Sequence, residues 1–461
     1  MTESATSPVH LRVAIVGAGP AGIYAGNILS GAVSAAGGAV SIDLFESLPA
    51  PYGLIRYGVA PDHPRIKGIV TSLHDMLDAG VIRLIGNVEV GRDVGLEELG
   101  ERYDAVILAT GATRDAALDI PGIDLPGSYG AADFVAWYDG HPDVPRTWPL
   151  DARHVAVIGN GNVALDVARV LAKPADDLLS TEIPDTVHAG LQASPVTDVH
   201  VFGRRGPQDI KFTPIELREL GEVHDVDIVL HEEDFAHLDG FTPPNNQLKV
   251  MLRTFDQWRA REIGTATRRL HLHFHRTPVE VLGTDRVEGL RFERNVPNTD
   301  GTVTGTGEFV DYPVEAVYRA VGYYGTPVVG APFDAEAGVV PNVAGRVVDA
   351  GAPVTGLYAT GWIKRGPVGL IGHTKSDALE TVEHLVADAA AGLLPAPTVT
   401  GDVLELLAER EVPFTTWDGW LQLDAHERTL GQTHEHVRER VKVVPRDEQV
   451  ALSSAGALSR S

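Results

Sequence analysis

The stretch Leu11-Arg12-Val13-Ala14-Ile15-Val16-Gly17-Ala18-Gly19-Pro20-Ala21-Gly22 decides the fold. A mostly apolar run enters a Gly-x-Gly-x-x-Gly turn, the pattern of a buried parallel strand feeding a helix. The first glycine permits the tight turn, the second lets backbone approach a pyrophosphate, and the third lets helix and strand pack closely. A phosphate there lies on the positive end of the helix dipole. Gly17, Gly19, Pro20, Ala21 and Gly22 are therefore candidate dinucleotide ligands. Ser34 to Gly38 reads as a loop. It leads into a second strand, Val40 to Phe45, which ends at Glu46, whose carboxylate can accept hydrogen bonds from ribose hydroxyls.

The pattern recurs downstream. His154 to Ile158 runs into Gly159-Asn160-Gly161-Asn162, with Ala164 in the third glycine's place. Here the following strand, Val199 to Phe202, ends in Gly203-Arg204-Arg205-Gly206 rather than in an acid. An acid at that position favours the 2′-hydroxyl of NAD, whereas arginine accommodates the 2′-phosphate of NADP. Two nucleotide sites in one chain suggest one cofactor held and one exchanged, and FAD with NADPH is the natural pair. Tyr103 to Leu108, followed by Ala109-Thr110-Gly111, reads as a further parallel strand. The fold class expected is α/β with two Rossmann-like dinucleotide-binding domains.

Composition narrows the function. The chain has 461 residues, long enough for roughly two or three domains. It has no cysteine, which excludes disulfides, cysteine-ligated iron–sulfur clusters and a redox dithiol. Any electrons must be carried by a bound organic cofactor. The formal net charge of -25 disfavours nucleic acid as a partner. No run approaches the roughly eighteen apolar residues of a membrane span. The first apolar run leads straight into the glycine turn and reads as a strand, not a signal peptide, so a cytoplasmic location is expected. Gly140 to Pro149 is proline-rich and reads as a boundary or a surface excursion, Lys173 to Pro195 as an insertion, and Asn295 to Gly307 as a hairpin.

Several longer runs carry a resemblance. They are Val16 to Gly22, Pro51-Tyr52-Gly53-Leu54-Ile55-Arg56, Gly58 to Pro64, Val157 to Asp166, Gly203 to Gly206, Glu216 to Leu220 and Gly361 to Pro367, with Trp420, Asp424, Glu427 and Arg428. In this order, over nearly the whole chain, they resemble the adrenodoxin-reductase-type ferredoxin–NADP reductases. The resemblance implies hydride transfer from NADPH to FAD and single-electron transfer to a ferredoxin-type iron–sulfur protein. It implies that the NADP domain (111–327) is inserted into a discontinuous FAD domain (1–110 and 328–461), with a late strand at Leu357 to Gly361. For FAD it implies Glu46, Leu54, Val88, Gly361, Trp362, Gly369, Leu370 and Ile371. For NADP it implies Gly159, Asn160, Gly161, Asn162, Val163, Arg204, Arg205, Glu216 and Gly369. It places His63 and Glu219 near the flavin as candidate catalytic residues. The glycine-rich Gly366 to Gly372 precedes a helix-like run, Lys375 to Ala387, whose N-terminus would stabilise negative charge on a reduced flavin.

Family members dock an acidic ferredoxin on a basic face. Asn245 to Pro278 holds Lys249, Arg253, Arg259, Arg261, Arg268, Arg269 and Arg276 against only Asp256 and Glu262, and is the candidate segment. His271, His273 and His275 alternate and should share one strand face. That face is expected to be solvated and metal-free, because no nearby carboxylate completes a site. Two other readings keep the fold but change the function. One is another NADPH-dependent FAD oxidoreductase, a monooxygenase or diaphorase. The other is a non-catalytic FAD- and NADP-binding module.

Overall fold

The computed structural model describes residues 10–63, 68–238, 240–368 and 371–454, apart from the side chain of residue 371. The chain forms two compact units. The first comprises residues up to Val59, His63–Arg114 and the chain from Tyr323 onward; the second comprises Ala60–Asp62 and Asp115–Gly322.

The first unit is built on a seven-stranded sheet. Five strands are parallel, in the order Ala352–Ala359, Ala105–Leu108, His10–Val16, Ala39–Phe45 and Ile82–Ile85. Arg346–Asp349 and Asn342–Val343 extend the sheet antiparallel. Val13, Ala14, Ile15 and Val16 are all buried, because helices and loops cover both faces of a central strand. One face packs on the helix Pro20–Ala35 and on Ala378, Leu385 and Trp420. The other packs on Leu99, Val340, Ile363 and Leu407. The chain moves one way from His10–Val16 to Ala39–Phe45 and later the other way to Ala105–Leu108. The turn after Val16 therefore sits at the switch point where ligands bind in such sheets.

The second unit repeats the plan. Its parallel sheet runs Ser128–Gly130, Ala316–Arg319, His154–Ile158, Asp198–Phe202, Arg268–His273 and Val226–Leu230. The strand before the second glycine turn is again central and again at a switch point. The helix Asn162–Ala172 covers one face, and the antiparallel sheet of Arg276–Leu282, Gly289–Pro297 and Val303–Tyr312 packs on the other. The expected hairpin is the tip of this sheet. Gly140 to Pro149 lies inside the unit and is an excursion, not a boundary: Trp148 packs on Phe134 and donates from Nε1 to the Tyr318 hydroxyl at 3.2 Å. Lys173 to Pro195 is partly helical, over Asp185–Ala193. Asp62 accepts from Arg169 at 2.8 and 2.9 Å and from Lys173 at 2.6 Å.

Candidate functional site: two glycine turns

At the first turn Gly17 has φ +111°, and a Cβ there would lie 2.5 Å from the Ala109 carbonyl oxygen. Only glycine fits. Gly19 caps the helix that starts at Pro20, where a missing N–H costs nothing. The Pro51 to Arg56 run folds onto this turn. Tyr52 donates its N–H to the Ala18 carbonyl at 2.8 Å in a left-handed conformation, φ 83°. Gly53 then comes close enough that a Cβ on it would lie 3.2 Å from the Gly19 Cα. Leu54, half-buried, begins the next helical turn.

Glu46 is buried and fixed by backbone donors. Ala18 N–H reaches Oε2 at 2.9 Å, Leu48 N–H reaches Oε1 at 3.0 Å, and Ser47 Oγ lies 3.2 Å from Oε1. Burial pushes its carboxyl above the ordinary range, opposed by those donors. A carboxylate offers about four acceptor sites, so three partners leave room for a ribose hydroxyl. Val88 is buried and donates its N–H to the Glu46 carbonyl at 2.9 Å. Thr110 Oγ1 is buried with no hydrogen-bond partner.

Gly361, φ +75°, starts the short helix Trp362–Arg365, and the Trp362 ring stacks on Tyr323 at 6.5 Å. Asp377 holds this corner: it accepts from Gly361 N–H and Thr360 Oγ1 and pairs with Lys364 at 3.0 Å. Nothing local in the sequence marked Asp377. Gly369 and Leu370 lie outside the described residues. The helix after them runs Ile371–Ala390, longer at both ends than expected. His63 is buried in this unit.

The second turn has the same logic. Gly159 has φ +140°, and a Cβ would lie 2.2 Å from the Ala320 carbonyl oxygen, whereas Gly161 faces open space. Asn160 packs on Gly203. Asn162 donates from Nδ2 to Glu216 Oε1 at 3.1 Å, leaving its buried Oδ1 without a partner. Val163 is half-buried in the first turn of the helix. Glu216 also accepts from Thr213 N–H at 3.0 Å, closing a capping box. The buried carboxylate of Glu216 thus orients Asn162. Glu219 is half-buried on the same helix, and its charge acts on Arg169.

The Gly203 to Gly206 turn is pinned by its backbone. Gly203 N–H donates to the His273 carbonyl at 2.8 Å, and Asn295 Nδ2 donates to the Arg204 carbonyl at 3.0 Å. Arg204 is exposed and Arg205 half-exposed, with no ion pair from either guanidinium to another described residue. A rigid backbone presenting two unspent forks suits a phosphate monoester.

The basic segment divides on inspection. Lys249 and Arg253 stand one turn apart on the exposed face of the helix Asn246–Arg259, and Arg261 is exposed just beyond it. Arg259 is spent on Glu232 and Asp256. Arg268 donates to the Leu171, Ala172 and Lys173 carbonyls and so closes a helix. Arg269 leans toward Asp198 at 3.9 Å. Arg276 is buried against Asp234 and belongs to no surface.

The histidine expectation needs correction. His271 and His273 share a face, but the strand ends at His273. His275 turns away with φ 56° and meets His237. The shared face is not solvated: His273 is buried and lies 4.9 Å from the Tyr312 ring. A carboxylate, Asp198, is beside it.

Comparison with known proteins agrees with this architecture. Residues 11–188 match the family described as Pyridine nucleotide-disulphide oxidoreductase. The NADPH-ferredoxin reductase FprA of Mycobacterium tuberculosis is 41% identical over 94% of this chain and 96% of its own. The mitochondrial NADPH:adrenodoxin oxidoreductase of Homo sapiens is 38% identical over 96% of this chain and 91% of its own. The solved structure of M. tuberculosis FprA in complex with NADPH superposes with a TM-score of 0.89 at 38% identity, covering 96% of this chain and all of that one. The chain belongs to the adrenodoxin-reductase-type ferredoxin–NADP reductases, FAD-containing and NADPH-dependent oxidoreductases. The dithiol chemistry in the broader family's description has no counterpart here, since the chain has no cysteine.

Proposed function

We propose that this chain is a ferredoxin–NADP reductase in which FAD, when bound, takes hydride from NADPH and passes electrons singly to a ferredoxin-type iron–sulfur protein. The carrying observation is the contrast behind the two glycine turns: a buried acceptor, Glu46, behind the first, and two outward guanidinia, Arg204 and Arg205, behind the second. In this reading Gly17 to Gly22 and Glu46 hold the FAD diphosphate and ribose, with Leu54, Val88, Gly361 and Trp362 along its length. The orphan Thr110 hydroxyl supplies a further donor there. Gly159 to Val163 cradle the NADP diphosphate, Arg204 and Arg205 bind the 2′-phosphate, and Glu216 acts through Asn162.

The FAD domain is then the first unit and the NADP domain the second. Lys249, Arg253 and Arg261 form the basic docking face for an acidic ferredoxin. Among the described residues no helix is long and apolar enough to cross a membrane, and the reading places the reaction in the cytoplasm. Purified protein should be yellow, and anaerobic NADPH should bleach it within the stopped-flow timescale. With added ferredoxin it should reduce cytochrome c. Oxygen uptake matched to an organic product would favour the monooxygenase reading instead. A colourless sample that no flavin reconstitutes would overturn the proposal.

A further inference from the structure

In the second unit, parallel pairing sets His154 beside Asp198, and His200 beside His271. Alternation then puts His154, Asp198, His200, His271 and His273 on one face of the sheet. His231, just past the strand Val226–Leu230, joins them by stacking on His273 at 4.4 Å. His200 stacks on His271 at 4.2 Å, and its Nδ1 lies 3.0 Å from His273 Nε2. One donor atom from each of His200, His271 and His273 lies within 4.8 Å of the others.

The polar accounting on this face does not close. Asp198 binds His271 Nε2 at 2.9 Å and lies 3.4 Å from His154 Nδ1. The other His271 nitrogen, Nδ1, and Nε2 of His231 are buried with no hydrogen-bond partner. An orphaned buried polar atom costs about 1–3 kcal/mol. A carboxylate on one imidazole nitrogen, with the other nitrogen left open beside two more imidazoles, is the arrangement that orients histidine for a metal.

We propose that His200, His271 and His273 bind a divalent transition-metal ion of the Zn2+ type, with Asp198 as the outer carboxylate that fixes His271. The donor set selects the ion: imidazoles suit Zn2+ and its neighbours, whereas Ca2+ and Mg2+ require oxygen ligands. Zn–N bonds of about 2.0–2.1 Å place tetrahedral nitrogens roughly 3.4 Å apart, a spacing bracketed by the 3.0 Å between His200 and His273 and the 4.8 Å limit of the cluster. Burial, with His271 beside it, pushes His200 down to about 3, and burial also lowers His271 and His273. The ligands are therefore neutral at physiological pH, as metal binding requires. Two nearby guanidinia, Arg269 and Arg276, repel positive charge on His271 and His273, but each has a carboxylate beside it. Arg269 leans on Asp198 from the exposed side, and Arg276 is spent on Asp234 and the Tyr312 hydroxyl. Half-exposed His154 marks the way in.

The cluster runs along the sheet face from His154 and Asp198, at the strand starts, to His273, whose carbonyl accepts from the Gly203 N–H of the arginine turn at 2.8 Å. A redox-inert ion there tightens the second unit without sharing in electron flow.

The test uses the full-length, tag-free flavoprotein after dialysis against a chelator. Titration with Co2+ should saturate at one equivalent and give the visible d–d bands of a nitrogen-bound ion, displaced by Zn2+. Zn2+ should raise the melting temperature. His200→Gln and His271→Gln should abolish stoichiometric binding. Asp198→Asn, which leaves all three ligands in place, should weaken it about 10- to 100-fold. The pair His434 and His436, half-buried and exposed respectively in the first unit, is the control, and H434Q/H436Q should bind as wild type. Failure of the wild type to take up one equivalent overturns the proposal and leaves a stacked, neutral imidazole core. Undiminished binding by Asp198→Asn, or loss in H434Q/H436Q, overturns it too.

Discussion

Arg56 and Glu427 stand 371 positions apart, yet Arg56 Nη2 lies 2.5 Å from the Glu427 carboxylate, both side chains almost wholly buried. The pair ties the loop on the first glycine turn to the helix Trp417–Thr433. Glu427 also accepts from Val443 N–H at 3.0 Å, and Arg440 bridges Glu427 and Asp424. Arg56 lies over the rings of Trp420 and Tyr57 at 5.0 and 5.1 Å. Removing one partner strands a charge in the core. Glu427→Ala should cost about 3–5 kcal/mol of unfolding free energy, and the double variant Arg56→Leu/Glu427→Leu much less than the two single losses together. Urea unfolding of the four proteins measures the coupling, and simple additivity would refute a buried pair.

The arginine turn predicts cofactor choice. Arg204→Ala with Arg205→Ala removes charge-assisted donors to a solvent-facing phosphate, together worth about 1.5–3 kcal/mol. The Michaelis constant for NADPH should rise roughly 10- to 100-fold while that for NADH hardly moves. Equal effects on the two cofactors would show that the arginines do not read the 2′-phosphate.

What could be read in advance follows from the range of the interaction. Gly17 and Gly159 were legible because their demand is local: a positive φ and a nearby carbonyl that no Cβ can pass. Glu46 and the arginine pair were legible because each ends the strand next in sequence to its turn. The Arg56–Glu427 pair was not, since its partners meet only when the C-terminal helix docks. Asp198 was missed beside His271 for the same reason: strand register, not sequence distance, makes them neighbours. The basic segment misled where net charge was counted without partners, because Arg268 and Arg276 are consumed internally.

That division of the basic residues gives a prediction about docking. The triple change Lys249→Glu, Arg253→Glu, Arg261→Glu should slow ferredoxin-dependent cytochrome reduction and flatten its salt dependence, with direct dye reduction by NADPH unchanged. Arg268→Ala should instead lower stability, because it uncaps the helix Asn162–Ala172. If the triple variant reduces cytochrome at the wild-type rate across the salt series, the ferredoxin docks elsewhere.

Asp115 gives a pH dependence whose sign is fixed. Burial raises its carboxyl to about 6, opposed by the Ala132 N–H at 3.0 and 3.1 Å and aided by the Asp133 charge. Because the folded pKa lies above the unfolded value, the folded chain holds more protons between about pH 4 and 6. Stability from this group is complete below that window and is lost as pH rises through it. The partial exposure of the group limits the loss to about 1–3 kcal/mol. Asp115→Asn cannot ionise and escapes it. Its amide has one acceptor oxygen and keeps only one of the two contacts with Ala132, a cost that is the same at every pH. The difference between variant and wild type should therefore move in the variant's favour by about 1–3 kcal/mol from pH 4 to pH 8. Urea midpoints at the two pH values measure it, and a difference that stays constant would place Asp115 in water with an ordinary pKa.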